Sequence, residues 1–311
     1  MAKSNYKELL KFGGIIDNKT NMIFTIFGAF VLLLIWHFVT LNGTLISPKI
    51  LPSPISVFQN FGNLFTEHNL PKEAWYSVKI NLWGYFFAII FALPLGFLIG
   101  IFPLPKSMFQ KYTDAMRYLP PPAITGIFMT AFGLGIGMKA SFLAFAIFMS
   151  LLPAVIQKIE DLQNPKNDKD FVYLQTIKTL GANNYQKFTK VYFPYVMGRV
   201  FSDIIILTAI SYTYIIIIEL LNHKGGLGGL LHLLRRQGLM AEYYGVLFSI
   251  ISIGLFQNFL LVEIDKFLFP YKYEKMSIVR RLFTTIKKFP ALIKKWISGS
   301  KLKTLFLTDK K

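Results

Sequence analysis

The polar side chains that could act on a solute are few, and they sit inside apolar sequence. Ser211, Tyr212, Thr213 and Tyr214 are four consecutive hydroxyls in the middle of an apolar run, with Glu219 at its far end and Asp203 about one turn inside its start. A polar group in hydrocarbon is costly, so it faces a cavity or a neighbouring helix. Ser211 to Tyr214 and Glu219 are therefore candidates for lining a solute pathway; the alternative is that they bond across helices. For Asp203 the simpler reading is an interfacial pair with Arg199 at i, i+4, against a place on the pathway. Glu219 suits equally well a contact with the turn that follows, Gly225-Gly226-Leu227-Gly228-Gly229. Such a turn could cradle a phosphate, but its place after a span on the outer side favours a re-entrant turn.

Nothing else in the chain assembles a reaction centre. It holds no cysteine, which removes disulfides, zinc–thiolate sites and thiol nucleophiles together. His37, His68, His223 and His232 fall at no metal-ligand spacing, and no His, Asp, Glu or Ser cluster recurs at one depth as a membrane enzyme would need. There is no Gly-x-x-x-x-Gly-Lys-Ser/Thr, so no nucleotide cradle is present. No catalytic residue, metal ligand or cofactor of the chain's own is expected.

The elements that position these groups are membrane spans. Of the 311 residues 53% are hydrophobic and only 16% charged, with a mean hydropathy of +0.47. The net charge of +18 could suggest nucleic acid, but the basic residues flank apolar segments, so lipid is the expected partner and nucleic acid is not. Apolar runs at 21–41, 80–102, 123–138, 140–156, 200–221 and 243–268 approach the roughly 20 residues that cross a bilayer. The first is read as a retained anchor rather than a signal peptide, because no small-residue cleavage site follows it. The third and fourth are short and meet at a glycine-rich junction, Gly133 to Gly137. The fold class is therefore all-α, a polytopic membrane protein with about six transmembrane helices. Most of the 34 Lys and Arg residues fall on one set of connections, which places both termini in the cytoplasm of a bacterial cell, with the spans in its inner membrane. Pro94 and Pro153 are expected to kink their spans, and Pro120 to Pro122 to set the entry of the third.

Between the fourth and fifth spans lies a cytoplasmic stretch of about 40 residues, 157–195, long enough to need structure of its own. Leu174, Ile177 and Lys178 share a face, Gly181 interrupts, and Ala182, Tyr185, Phe188, Thr189 and Tyr192 continue a helical stripe. Two short helices joined by a left-handed Gly181 would turn that stripe outward, where a partner must cover it.

These residues carry a resemblance. Gln175-Thr176-Ile177-Lys178-Thr179-Leu180-Gly181-Ala182-Asn183, continuing to Val191-Tyr192-Phe193-Pro194, resembles the cytoplasmic coupling loop of binding-protein-dependent ABC permeases. That family's pattern is Glu-Ala-Ala, three residues, Gly, nine residues, Ile, one residue, Leu-Pro. Gly181 and Pro194 keep the separation, Val191 and Phe193 replace Ile and Leu, and Gln175, Thr176 and Ile177 replace Glu-Ala-Ala. Leu51-Pro52-Ser53-Pro54 with Val57, Pro94-Leu95-Gly96 with Gly100, Phe132-Gly133-Leu134-Gly135, and Glu219-Leu220-Leu221 before Gly226-Leu227-Gly228 resemble the nitrate/sulfonate/taurine branch of those permeases.

The resemblance implies a permease that pairs with a second copy and docks two ATPase subunits, which bind ATP and magnesium. It also implies a solute-binding protein that delivers a nitrate-, sulfonate- or taurine-like anion. Leu174, Gln175, Ile177, Lys178, Leu180, Gly181, Ala182, Tyr185, Phe188 and Pro194 would form the ATPase-coupling surface. The alternative is an ion-coupled secondary carrier, which would usually show paired intramembrane acids or an inverted repeat. Residues 1–20 are expected as a cytoplasmic segment, 21–271 as the permease domain, and 272–311 as a basic amphipathic tail on the anionic leaflet.

Overall fold

The computed structural model describes residues 11–273, apart from 13, 15, 44–45, 165–167 and 223–224. The amphipathic tail expected from Ile278 onward lies outside the described residues. Among those residues every regular element is helical. The α-helices are α1 (Asn18–Thr40), α2 (Pro54–Asn60), α3 (Asn63–Thr66), α4 (Leu70–Ile101), α5 (Pro103–Met116), α6 (Thr125–Phe132), α7 (Ile136–Gln163), α8 (Asp168–Thr179), α9 (Asn184–Lys187), α10 (Phe193–Asn222), α11 (Gly226–Gln237) and α12 (Met240–Leu268). Five stretches are long and apolar enough to cross a membrane: Lys19–Thr40, Leu70–Ile101, Ile136–Gln163, Asn184–Leu221 and Met240–Leu268. The chain is an all-α, multi-pass membrane protein.

The described residues fall into two compact units, one within Met1–Val78 and Ile216–Ile251, the other within Lys79–Ile215 and Ser252–Lys311. In the first, α1 keeps large side chains such as Phe24, Phe27 and Leu33 exposed, a surface suited to lipid or to another protein rather than to a core of its own. Trp36 anchors it: the indole N–H donates to the Pro52 carbonyl at 3.1 Å, and its ring lies 5.7 Å from that of Phe248. The Ser53 hydroxyl accepts the Ser56 N–H and caps α2, whose first residue is Pro54. Leu64, Leu227, Leu231, Leu234 and Val246 form the buried core of this unit.

The second unit is organised by close glycine contacts. A Cβ on Gly84 would meet Leu143 at 2.8 Å, one on Gly96 would meet Val155 at 2.5 Å, and one on Gly100 would meet Ile159 at 2.6 Å. The partners advance in step with the glycines, so α4 and α7 run in the same direction, backbone against side chain. Gly96 and Gly100 are the small-xxx-small spacing that lets membrane helices approach. Two parallel helices require a return crossing between them. It is made along α7, from α5, where Lys106 pairs with Glu160 at 2.9 Å, to α6, where Phe128 meets Phe142 at 5.8 Å.

The third span expected over Ala123–Met138 therefore takes a different form. α6 has eight residues, about 12 Å of rise, preceded by a 3₁₀ turn over Pro121–Ile124. Gly133 at φ +70° ends it, and Met138 belongs to α7, which starts at Ile136. Pro94 and Pro153 both lie within continuous helices, α4 and α7. Gly96→Leu is expected to destabilise the protein by about 1–3 kcal/mol through overpacking, with part of the loss recovered by adding Val155→Ala. Unfolding of the single and double variants in the same detergent checks the pairing.

α10 runs against α4, with Asn81 opposite Ser211 and Tyr85 opposite Thr208, and α12 runs against α10. The ends of α4, α7 and α12 and the start of α10 thus share one end of this unit. That end is fastened by Lys272, whose ammonium donates to the buried Asp265 at 2.7 Å and to the Gly198 carbonyl at 2.6 Å. Burial, together with the hydrogen bond to Asp265 and its charge, pushes the Tyr273 phenol up to about 12, so it remains a donor to Asp265 at neutral pH.

Candidate functional site

Three constellations gather the residues singled out above. The first is the connection between α7 and α10. α8 is closed by Gly181 at φ +68°, where the Gly181 N–H donates to the Lys178 carbonyl at 3.0 Å and the Ala182 N–H to the Ile177 carbonyl at 3.3 Å. This pair of bonds defines a Schellman turn, which needs a left-handed residue. Asn183 then opens the next helix through a capping box with Gln186, at 2.8 and 2.9 Å. α9 passes through a π turn, Phe188–Tyr192, into α10, so helix, glycine and helix follow one another as the spacing predicts.

The apolar stripe, however, divides. Leu174 is only 8% exposed, and Phe188 turns inward to meet Phe97 at 5.3 Å. Leu180 and Tyr185 are each 75% exposed on either side of Gly181. Gln175 and Lys178 are exposed, Ile177 and Ala182 half-buried, and the half-buried Pro194 gives its carbonyl to the Tyr271 hydroxyl at 3.1 Å. The left-handed turn rotates the second helix relative to the first, so one continuous outward stripe over 174–192 does not form. What projects is an apolar knob, Leu180 and Tyr185.

The second constellation ties α4, α10 and α12 together. The Tyr212 hydroxyl donates to Gln257 Oε1 at 2.6 Å, Gln257 Nε2 to Asn81 Oδ1 at 3.0 Å, Asn81 Nδ2 to Ser211 Oγ at 2.8 Å, and the Ser211 hydroxyl to the Thr208 carbonyl at 2.8 Å. Tyr85 adds a bond to Thr208 Oγ1 at 3.3 Å. Asn81 and Ser211 are completely buried. Of the four consecutive hydroxyls, Ser211 and Tyr212 are therefore spent on bonds across helices. Thr213 is exposed and Tyr214 half-buried, because successive helical residues point about 100° apart. The four do not make one cluster. Gln257→Leu is expected to cost about 1–2 kcal/mol, since it leaves the Tyr212 hydroxyl and the Asn81 carbonyl without this partner; chemical unfolding in detergent checks it.

The third constellation surrounds Glu219. Its carboxylate is fully buried and accepts from the Ser77 hydroxyl at 2.8 Å and from the Gly228 N–H at 2.9 Å. Ser77 Oγ in turn accepts the Leu227 N–H at 2.9 Å, and Glu73 accepts the Gly226 N–H. The first amides of α11 are thereby capped by two carboxylates and a hydroxyl, which complement the positive end of the helix. Gly226, at φ +87°, has no room for a Cβ, which would strike the Glu219 carboxylate. The glycine turn that could cradle a phosphate is already filled by side chains of the chain itself.

Asp203 pairs with Lys158 at 3.7 Å rather than with Arg199, whose guanidinium lies 4.0 Å over the Tyr195 ring. Among the described residues no three His, Asp or Glu side chains are placed to hold a metal. The partners that composition and spacing missed are Glu73, Ser77, Asn81, Tyr85, Thr208 and Gln257. Their signal was present as single polar residues inside apolar helices.

No family model matches the chain. Curated relatives do. A probable ABC transporter permease of Brucella melitensis is 22% identical over 234 residues, 74% of this chain and 89% of that protein. The chain is similar to ABC transporter permeases. The taurine transport system permease protein of Escherichia coli is 24% identical over 203 residues, 64% of this chain and 71% of that protein. A putative aliphatic sulfonates transport permease protein of Bacillus subtilis is 22% identical over 202 residues, 64% of this chain and 69% of that protein. A multi-pass membrane protein agrees with both the similarity and the apolar helices.

Proposed function

We propose that this chain is the permease subunit of an ABC importer for a sulfonate-type anion. Two copies would pair in the bacterial inner membrane, dock two ATPase subunits that bind ATP and magnesium, and receive solute from a binding protein. The observation that carries the reading is the apolar knob of Leu180 and Tyr185 around Gly181. It projects from a short capped connection at the end of the unit where α4, α7 and α12 finish. An exposed apolar pair on a connection held by a Schellman turn and a capping box is suited to a protein partner. The Lys/Arg distribution supports placing this end and both termini in the cytoplasm. Sulfonate specificity rests on the names of the relatives, two of which concern taurine and aliphatic sulfonates.

Energy would come from the partner. ATP closes the ATPase pair, the knob follows, and α10, joined to it through the π turn, shifts the spans between outward and inward openings. Thr213 and Tyr214 are assigned to the pathway between copies, whereas Ser211, Tyr212 and Glu219 hold helices together. Co-purification of the chain with a candidate ABC ATPase from the same organism tests the docking step. Leu180→Asp with Tyr185→Asp should abolish recovery of the ATPase while leaving the chain folded. Recovery undiminished by the double substitution would place docking elsewhere.

A further inference from the structure

α11 carries two chemistries. Leu227, Leu230, Leu231 and Leu234 are buried in the first unit, whereas Arg235, Arg236 and Gln237 are exposed at the end of the helix. Basic side chains at a helix C-terminus ordinarily serve its free carbonyls. Here the backbone already does so: Gly238, left-handed at φ +74°, donates to the Arg235 carbonyl at 3.2 Å, and the Leu239 N–H donates to the Leu234 carbonyl at 3.0 Å. Neither guanidinium enters an ion pair among the described residues. The unit's carboxylates on this side are engaged elsewhere, Glu73 with the Gly226 amide, Glu219 with Ser77 and Gly228, and buried Glu242 with the Asn63 amide at 3.4 Å, while Glu67 is exposed after α3.

The side of the membrane narrows what the pair is for. In the proposed orientation α1 and α10 both lead outward, so α2 and α3, which follow α1, and α11, which follows α10, lie on the outer side. Lys and Arg are depleted there, so membrane topology does not account for two adjacent arginines. The start of α11 is clamped by Glu73, Ser77 and Glu219, which makes the helix a fixed platform. On the same side Phe58 of α2 stands 84% exposed while its neighbour Val57 is buried. Arginine and exposed aromatic side chains on rigid elements are the composition of protein interfaces, and complementary charge steers the encounter. We propose that this outer end of the first unit, centred on Arg235 and Arg236, docks an acidic surface of the solute-binding protein. The docking rests on the importer reading and adds where the binding protein lands and which charge it carries there.

Binding of a purified binding protein from the same organism, one that supports ATP-driven uptake, to the full chain in phosphatidylcholine nanodiscs tests it. The parent is expected to bind with a Kd that rises with salt. Arg235→Glu with Arg236→Glu should raise that Kd at least about tenfold while recovery of the ATPase stays at the parent level, which also shows that the variant is folded. Arg280→Glu with Arg281→Glu, the same change of charge in the tail, should leave both unchanged. A Kd unaltered by the α11 substitutions, an equal loss from the tail substitutions, or binding indifferent to salt overturns the docking alone. A parent that supports no ATP-driven uptake and recovers no ATPase overturns the importer reading, and the docking with it.

Discussion

Glu219→Ala is expected to lower the unfolding free energy of the purified protein by about 2–4 kcal/mol, the largest stability loss foreseen from a single polar side chain. The carboxylate is completely buried and serves two donors, the Ser77 hydroxyl and the Gly228 amide. Truncation leaves both without this acceptor in a place water does not reach, and it uncaps the start of α11. Glu219→Gln should fall between, because its amide oxygen still accepts while its NH₂ faces other donors. Gly226→Ala should resemble Glu219→Ala, since the new methyl group and the carboxylate cannot share the same space. Unfolding curves for the three variants in one detergent separate these cases. A Glu219→Ala protein as stable as its parent would mean that the residue is not a structural clamp.

Gly181→Val is expected to cut ATP-driven uptake at least about tenfold while leaving the chain in the membrane at normal levels. A Cβ at Gly181 would meet nothing within 4 Å, so space is not the constraint. The backbone is. At φ +68° a β-branched residue is strained by about 1–2 kcal/mol, comparable to what the two turn hydrogen bonds contribute. Valine would relax the turn, and Leu180 and Tyr185 would no longer be presented together. Asparagine tolerates the left-handed region, so Gly181→Asn should retain most of the uptake. Uptake measured in membrane vesicles for both variants distinguishes loss of the turn from loss of the glycine itself. Equal defects in the two would point to a close partner contact at this position instead.

Features that are local in the chain are legible in its sequence, and features that are not local are hidden there. Spans are local: a helix as long and apolar as α12 has few alternatives, and five of the six expected crossings are long helices. The third failed at its boundary because Gly133 and Gly135 take conformations that a hydropathy pattern does not register. Turn chemistry is local too, and Gly181 closes α8 in the left-handed region that its position between two helical stripes requires. Pairings between helices are not local. Asp203 had Arg199 one turn away in sequence, yet Arg199 packs on Tyr195 and Lys158 arrives from α7. Ser211 and Tyr212 were visible as polar residues, but Asn81 and Gln257, which give them partners, lie on other helices. Gly96 and Gly100 stood out only as part of a family pattern, and it took their partners Val155 and Ile159 to show a close helix contact there.

In the proposed cycle, ATP hydrolysed by a docked subunit moves solute through this chain. Reconstituting the chain in liposomes with its ATPase and binding protein, and following uptake of a labelled sulfonate, tests this most directly. Uptake should require ATP, stop when the ATPase is omitted, and fall with Leu180→Asp and Tyr185→Asp. Uptake by the chain alone under an ion gradient, unaffected by nucleotide, would contradict the account.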